Sequence, residues 1–166
     1  RINRSMQNGG GALWDIGPYA IHTIRQCFTE NPMRVKAIAK LNEHGADIST
    51  TGLIDFGDSK RATFDISFEC TRRSGFEAFG PLGRVLCPTV WQPDDKQAKI
   101  IINTECSGLT EEVLPAANHF VLEINHFNKV ISSNISPKLS NEDAFWNAKT
   151  LESILQSVRE DDWVNL

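Results

Sequence analysis

The sequence lacks the features of several protein classes. It contains no run of eighteen or more apolar residues, so no membrane-spanning helix and no membrane partner are expected. Lys and Arg number 17 against 21 Asp and Glu, which gives a formal net charge of -4. Because binding to phosphate backbones requires a clustered excess of basic residues, we expect no nucleic-acid partner.

Cysteines are few and widely spaced. Cys27, Cys70, Cys87 and Cys106 form no Cys-x-x-Cys pair of the kind that binds zinc or performs redox chemistry. We interpret them as buried free thiols rather than disulfides, because free cysteine packs like a small hydrophobic residue. Free thiols are typical of a reducing compartment, so the sequence predicts a cytoplasmic protein.

The chain also lacks a dinucleotide-binding motif of its own. Neither Gly-x-Gly-x-x-Gly after a strand nor a Walker sequence ending in Gly-Lys-Ser/Thr is present. The opening segment RINRSMQN has no apolar region of the kind found in signal peptides, and it begins with Arg rather than Met. At 166 residues, we expect a single domain spanning residues 1–166 that is part of a longer protein.

Hydrophobic periodicity predicts an α+β fold. Apolar residues recur every three or four positions over residues 12–28, which indicates an amphipathic helix with Leu13, Ile16, Ala20, Ile24 and Cys27 on its buried side. Pro18 predicts either a kink near Gly17 or a regular helix that begins around Asp15.

The middle of the chain has the alternating pattern of strands. RATFDISFEC alternates apolar and polar residues strictly, and FGDSK before it has the composition of a hairpin turn. Further strands are predicted at residues 76–79, 84–87, 99–104 and 110–114. Two helices close the chain, over residues 116–132 and from Ser140, where Asp143 three residues later completes a capping box. The prediction is a two-layer domain: a mostly antiparallel open sheet of about six strands with helices packed on one face.

A candidate site lies in the segment GGGALWDIGPYAIH, residues 9–22. On a helical wheel, Asp15, Tyr19, His22 and Gln26 lie opposite the apolar stripe. These residues are either the solvated face of a surface helix or a functional site. The preceding run Gly9-Gly10-Gly11 favours a site, because an ordered glycine run costs backbone entropy and is explained by a positive φ or by the close approach of a ligand.

A second polar pattern lies on the first closing helix. His119, Glu123 and His126 have the i, i+4, i+7 spacing that can ligate a metal. They flank the apolar stripe of that helix and no fourth ligand is evident, so we expect a solvated polar strip and no metal.

The residues of the candidate site resemble a known family. GGGALWDIGPYAIH is similar to the segment that opens the C-terminal domain of the Gfo/Idh/MocA oxidoreductases. HFVLEINHFNKVISSNISPKLSNEDAFWNAKTLESILQSVREDDWV resembles their closing pair of helices and final short strand. The resemblance covers essentially the whole chain. It implies that residues 1–166 are the C-terminal substrate-binding and oligomerisation domain of a two-domain enzyme, whose N-terminal Rossmann domain binds NAD or NADP and supplies a catalytic lysine.

The resemblance also implies roles for individual residues. In the branch that includes glucose-fructose oxidoreductase and dihydrodiol dehydrogenase, a tyrosine one turn after the aspartate is the proposed proton donor or acceptor, which here is Tyr19. Asp15 would orient the lysine or a substrate hydroxyl, and Gly10 and Gly11 would lie against the cofactor. His22 is either a substrate contact or a hydrogen-bonded structural histidine.

The implied reaction is hydride transfer to or from a sugar, cyclitol or related polyol. Two alternatives remain open: a non-catalytic family member that senses a sugar or dinucleotide, and an NAD-dependent glycosidase. Without the Rossmann domain, the isolated chain is predicted to be inactive. Relatives often pack the outer face of this sheet against another subunit, so the polar residues Thr63, Asp65, Ser67 and Glu69 predict a homo-oligomer.

Overall fold

A computed structural model describes residues 9–91 and 97–166, so the opening segment RINRSMQN lies outside the described residues. In chain order the elements are α1 (Ala12–Asp15), α2 (Gly17–Gln26), β1 (Arg34–Leu41), β2 (Asp47–Gly57), β3 (Lys60–Ser67), β4 (Phe76–Gly80), β5 (Gly83–Cys87), β6 (Ala98–Thr104), β7 (Gly108–Leu114), α3 (His119–Ser133), α4 (Asn141–Glu160) and β8 (Val164–Asn165). They fall into two compact units: one runs to Cys70 and resumes over Leu139–Leu166, and the other is Thr71–Lys138.

The first unit is built on an antiparallel sheet with the strand order β3-β2-β1-β8. The β2–β3 hairpin turns at Asp58 and Ser59, whose φ values of 48° and 64° are those of a left-handed turn. Such turns match the twist of the flanking strands, and the Asp-Ser sequence tolerates them. The hairpin predicted from FGDSK is therefore confirmed.

One face of this sheet is covered by helices and forms the core. Alternate strand residues such as Val35, Ile54 and Phe64 point into the core, where they meet Ile21 from α2 and Ile154 from α4. Burying each such side chain contributes about 1.5–3 kcal/mol. In β3 the intervening Thr63 and Asp65 face outward, as the alternation predicts.

The second unit contains a second antiparallel sheet, in the order β4-β5-β6-β7. All four of its strands overlap the segments predicted from the sequence. Helix α3 has no buried residue, and its apolar stripe Phe120, Ile124, Phe127 and Ile131 is exposed. No helix in the described part of the chain is long and apolar enough to cross a membrane.

The α+β class with antiparallel strands is confirmed, whereas the grouping of the strands differs from the prediction. The prediction was one sheet of about six strands, and the structure has two sheets of four. The ladder between β2 and β3 ends at Ser67, and the segment that follows is not a strand: the Phe68 N–H donates to the Ile48 carbonyl oxygen at 2.9 Å, and Ser74 forms an isolated bridge with Thr89. Helix α4 begins as predicted, since the Ser140 hydroxyl accepts a hydrogen bond from the Asp143 N–H at 3.1 Å.

The cysteines correct one further prediction. None of the four forms a disulfide, but only Cys87 is buried. Cys27 caps the exposed end of α2, Cys70 lies beyond the end of β3, and Cys106 lies in the turn between β6 and β7. Each of the three exposed residues therefore falls outside the regular element whose periodicity suggested burial.

Candidate functional site on the opening helices

The predicted opening helix is broken into two. α1 ends at Asp15 and α2 begins at Gly17, and Ile16 joins them with φ -115° and ψ -18°. Pro18 lies in the first turn of α2, where its missing N–H has no helical partner to lose. The proline is thus accommodated by restarting the helix at Gly17. The interruption lies next to Gly17, as the kink alternative predicted, and Pro18 lies in a first turn, as the other alternative predicted, although Asp15 ends α1 rather than beginning a helix.

The break changes which residues are buried. Besides Ala12, the buried residues of the two helices follow one another at four-residue intervals: Leu13, Gly17, Ile21 and Arg25. The predicted residues Ile16, Ala20 and Ile24 are only partly buried, and Cys27 is exposed. Glycine at position 17 allows this side of α2 to pack closely against the core, because a Cβ there would lie 2.9 Å from Leu13 Cδ1 and 3.2 Å from Leu151 Cδ2.

The predicted polar residues are less buried than this row. Asp15 and Gln26 are exposed, Tyr19 is 57% exposed, and His22 is partly buried. We call Asp15, Tyr19 and His22 the polar face. A phenol and a carboxylate that are open to the exterior can exchange protons with a bound molecule.

The glycine run turns immediately before this face. Gly10 and Gly11 are both buried, and Gly11 has φ 127° and ψ 158°, a conformation almost restricted to glycine. The expectation of a positive φ is therefore correct. The close approach is to Asp47 of β2, which occupies the side of Gly11 where a Cβ would project. The role of Gly10 and Gly11 in cofactor binding stays a prediction.

Asp47 ties this turn to the sheet. Its Oδ2 accepts hydrogen bonds from the Leu13 N–H at 2.9 Å and from the Thr50 hydroxyl at 2.7 Å. The N–H groups at the start of a helix have no hydrogen-bond partner within the helix. A buried carboxylate at that position accepts a hydrogen bond from one of them, and its negative charge is attracted by the positive end of the helix dipole. Asp47 was not identified from the sequence, because an acid followed by Ile, Ser and two Thr at the start of β2 has the composition of an ordinary exposed strand end.

A polar cluster joins α2 to α4 beneath the polar face. Nδ1 of His22 lies 3.3 Å from Oδ2 of Asp143, whose Oδ1 accepts hydrogen bonds from Arg25 Nη1 at 3.0 Å and Gln26 Nε2 at 3.2 Å. Arg25 Nη1 also donates to the Asp143 carbonyl oxygen at 2.9 Å. The side chains of Arg25 and Asp143 are only 8% and 17% exposed. His22 thus lies against the Arg25–Asp143 ion pair, a placement that sequence reasoning anticipated only as a structural alternative.

The histidines of α3 are placed differently. Nε2 of His126 accepts a hydrogen bond from the Lys138 N–H at 3.1 Å, and His119 packs against Phe120. Among residues 9–91 and 97–166, no three His, Cys, Asp or Glu side chains are grouped so as to hold a metal ion.

Comparison with known proteins supplies the family. Residues 1–86 match the model of the GFO/IDH/MocA C-terminal domain. The chain belongs to this family. Its curated relatives include an uncharacterized oxidoreductase, ORF334, of Rhizobium meliloti, which is 27% identical over 93% of this chain and 48% of its own length. A second family relative is the dTDP-3,4-didehydro-2,6-dideoxy-alpha-D-glucose 3-reductase of Saccharopolyspora spinosa, 29% identical over 74% of this chain and 37% of its own length.

A solved structure shares the fold. The 3-ketoreductase KijD10 of Actinomadura kijaniata, in complex with NADP and TDP-benzene, superposes with a TM-score of 0.83 at 23% identity, over 95% of this chain and 49% of KijD10. At that identity the likeness shows the shared fold. The family member described here spans about half the length of KijD10 and no more than about half that of its curated relatives.

Proposed function

We propose that residues 1–166 are the substrate-binding domain of an NAD(P)-dependent oxidoreductase that transfers a hydride to or from a sugar, cyclitol or related polyol. The observation that carries the proposal is the exposed pair Asp15 and Tyr19, presented on helices that start directly after the buried glycine turn. The relatives support it, since two are named as reductases acting on sugar or ketone substrates and one binds NADP.

The chemistry assigns the proton to Tyr19. When a hydride reaches a carbonyl carbon, the oxygen becomes an alkoxide that must receive a proton, and a phenol can donate it when a neighbouring cation stabilises the phenolate. In the proposed enzyme a lysine of the remaining half of the protein supplies that cation. Asp15 orients the lysine or a substrate hydroxyl. NAD or NADP, bound mainly by that other half, supplies the hydride, and Gly10 and Gly11 line its site.

The proposal is tested on the intact protein that carries this chain. NAD⁺ and NADP⁺ are offered with D-glucose, myo-inositol and dTDP-glucose, and reduction of the cofactor is followed at 340 nm. Tyr19→Phe is expected to lower kcat by about 10² to 10⁴ while leaving NADPH affinity nearly unchanged. Phe79→Leu changes another exposed aromatic residue, in the second unit, and serves as the control.

Other outcomes of this experiment identify the alternatives. Cofactor binding without turnover of any polyol indicates a sugar- or dinucleotide-sensing regulator. Release of nitrophenol from nitrophenyl glycosides, dependent on NAD⁺, indicates a glycosidase. An unchanged rate in Tyr19→Phe removes Tyr19 from the mechanism. The chain produced without its other half is expected to show no turnover.

The assembly is proposed to be a homo-oligomer through the outer face of β1–β3. That face mixes charged residues, such as Lys36 and Lys40, with the exposed Ile38. A mixed surface of this kind is typical of an interface that retains water. Light scattering of the intact protein that gives only a monomer mass contradicts the proposal.

A further inference from the structure

We propose that Asp143 is a positioning residue, which fixes the proton of His22 on Nδ1 and so presents Nε2 as a hydrogen-bond acceptor for a substrate hydroxyl beside Tyr19. The inference rests on the proposed function, because it concerns substrate held at the polar face. It adds Asp143 of α4 to the proposed site, and it states which substrate group contacts His22 and which contacts Tyr19.

The first step concerns the histidine. Nδ1 is the ring nitrogen that faces the Asp143 carboxylate, at 3.3 Å. An ionised carboxylate only accepts hydrogen bonds, so neutral His22 carries its proton on Nδ1 and a lone pair on Nε2. Within residues 9–91 and 97–166, Nε2 has no hydrogen-bond partner. The side chain is 30% exposed, so this acceptor remains open to a ligand.

The second step concerns the carboxylate. Arg25 and Gln26 both donate to Oδ1, which leaves Oδ2 for His22. The two oxygens are therefore not interchangeable. Arg25 is almost fully buried, and Asp143 supplies the carboxylate that pairs with its guanidinium. The Ser140 cap fixes the start of α4 and with it the main chain of Asp143.

The third step places the acceptor beside the reacting group. Tyr19 and His22 are three residues apart in α2, and side chains at that spacing are neighbours on one helix face. In a sugar, the carbon that receives the hydride is flanked by carbons that bear hydroxyl groups. A carbonyl oxygen cannot donate to a bare Nε2, whereas a hydroxyl can. His22 therefore accepts the neighbouring hydroxyl and leaves the carbonyl oxygen to Tyr19.

The structure provides a substitution that reverses the histidine tautomer without changing its shape. In Asp143→Asn, Arg25 and Gln26 still donate to the Oδ1 position, so the amide oxygen stays there and the amide NH₂ faces His22. Nδ1 must then accept, and the proton moves to Nε2. Asp161→Asn is the matched control, because Asp161 is an exposed acid at the other end of α4 that pairs with Lys36.

The tautomer is measured by NMR on the intact protein with ring-¹⁵N histidine, at alkaline pH where imidazole is neutral, with His22→Gln to assign the signals. We expect Nδ1–H in the wild type and in Asp161→Asn, and Nε2–H in Asp143→Asn. The same tautomer in the wild type and in Asp143→Asn overturns the inference. Should Asp143→Asn fail to fold, the double variant Arg25→Gln/Asp143→Asn replaces the ion pair with a neutral pair. Its His22 tautomer is measured in the same way, and Nε2–H is again expected.

A kinetic cycle separates positioning from simple support of the fold. On the sugar panel above, His22→Gln is expected to raise KM about 10-fold with a smaller effect on kcat, as for one lost hydrogen bond. Asp143→Asn is expected to raise KM by a smaller factor, because the substrate hydroxyl can turn and accept a hydrogen bond from Nε2–H. The double variant is expected to match His22→Gln alone. An Asp143→Asn effect of equal size in both backgrounds overturns the inference. Absence of turnover in the wild type contradicts the proposed function instead, while the NMR comparison still decides the role of Asp143.

Discussion

The carboxylate of Asp47 occupies the space that a side chain at residue 11 would need. A Cβ on Gly11 would lie 2.0 Å from Asp47 Oδ1 and 3.1 Å from its Cγ. The other oxygen of the same carboxylate accepts the hydrogen bond of the Leu13 N–H, two residues later. The glycine turn and the start of the helices that carry the polar face are therefore fixed by one strand residue of the sheet.

Gly11→Ala is predicted to lower the free energy of unfolding by about 2–6 kcal/mol. The backbone at φ 127° is strained for any residue with a Cβ, which costs about 1–3 kcal/mol, and overpacking against Asp47 adds about 1–3 kcal/mol. The measurement is urea unfolding followed by far-UV circular dichroism.

Two other glycines separate the two contributions to this loss. Gly9 has a positive φ of 69°, but no atom lies within 4 Å of the position that a Cβ would take, so Gly9→Ala tests the backbone alone, at about 1 kcal/mol. Gly80 has neither constraint, and Gly80→Ala is expected to change stability by less than about 0.5 kcal/mol. Equal losses in Gly11→Ala and Gly9→Ala would mean that the contact with Asp47 is relieved at little cost.

Asp47→Ala is predicted to lower the free energy of unfolding by about 2–4 kcal/mol, because the Leu13 N–H and the Thr50 hydroxyl lose a charged acceptor in a buried place. The same change removes the atoms that clash with a methyl group on residue 11. Gly11→Ala is therefore expected to cost at least about 1 kcal/mol less in the Asp47→Ala background, which a double-mutant cycle of unfolding energies measures. Strict additivity would contradict the contact.

Arg25→Met is predicted to lower the free energy of unfolding by about 3 kcal/mol, because it leaves the Asp143 carboxylate partly buried without its guanidinium. Arg159→Met is the matched control, because its pair with Glu152 is exposed on the surface of α4 and losing it is expected to cost less than about 1 kcal/mol. Similar losses in the two variants would show that the Arg25 pair is no more stabilising than a surface pair.

Local features of the fold could be predicted from the sequence. The hairpin at Asp58 and Ser59 and the cap at Ser140 each depend on a few adjacent residues, so composition and spacing identify them. The exposure of Tyr19 also followed from helical periodicity. In each case the residues that determine the local structure are close together in the sequence.

The contacts that support the candidate site could not be predicted in the same way. Asp47 meets Leu13 across 34 residues and Asp143 meets Arg25 across 118, and such pairs leave no periodic trace in the sequence. The burial of Arg25 is a further case, since periodicity assigns a charged residue to the outside until its partner is known. The separation into two sheets depended likewise on long-range pairing beyond Ser67.

Asp55 is predicted to make stability depend on pH in the acid range. The N–H of Gly57, 3.0 Å from Oδ1, and then the Arg34 guanidinium, 2.8 Å from Oδ2, lower the pKa of the Asp55 carboxyl below its ordinary value of 3.8. A carboxyl whose pKa is lower in the folded state binds fewer protons there than in the unfolded state. Its stabilising contribution is therefore complete above pH 3.8 and is lost as the pH falls through the lower, folded pKa.

The measurement is the urea midpoint as a function of pH, from neutral into this acid range. Asp55→Asn is expected to reduce the fall of the urea midpoint with decreasing pH, because the variant has no carboxyl group to titrate at this position. Arg34→Met keeps the Gly57 hydrogen bond, which is the larger cause, and is expected to flatten it less. If Arg34→Met flattens the curve as much as Asp55→Asn does, the ion pair rather than the backbone N–H holds the pKa of Asp55 down, and the hairpin turn has no part in the acid sensitivity.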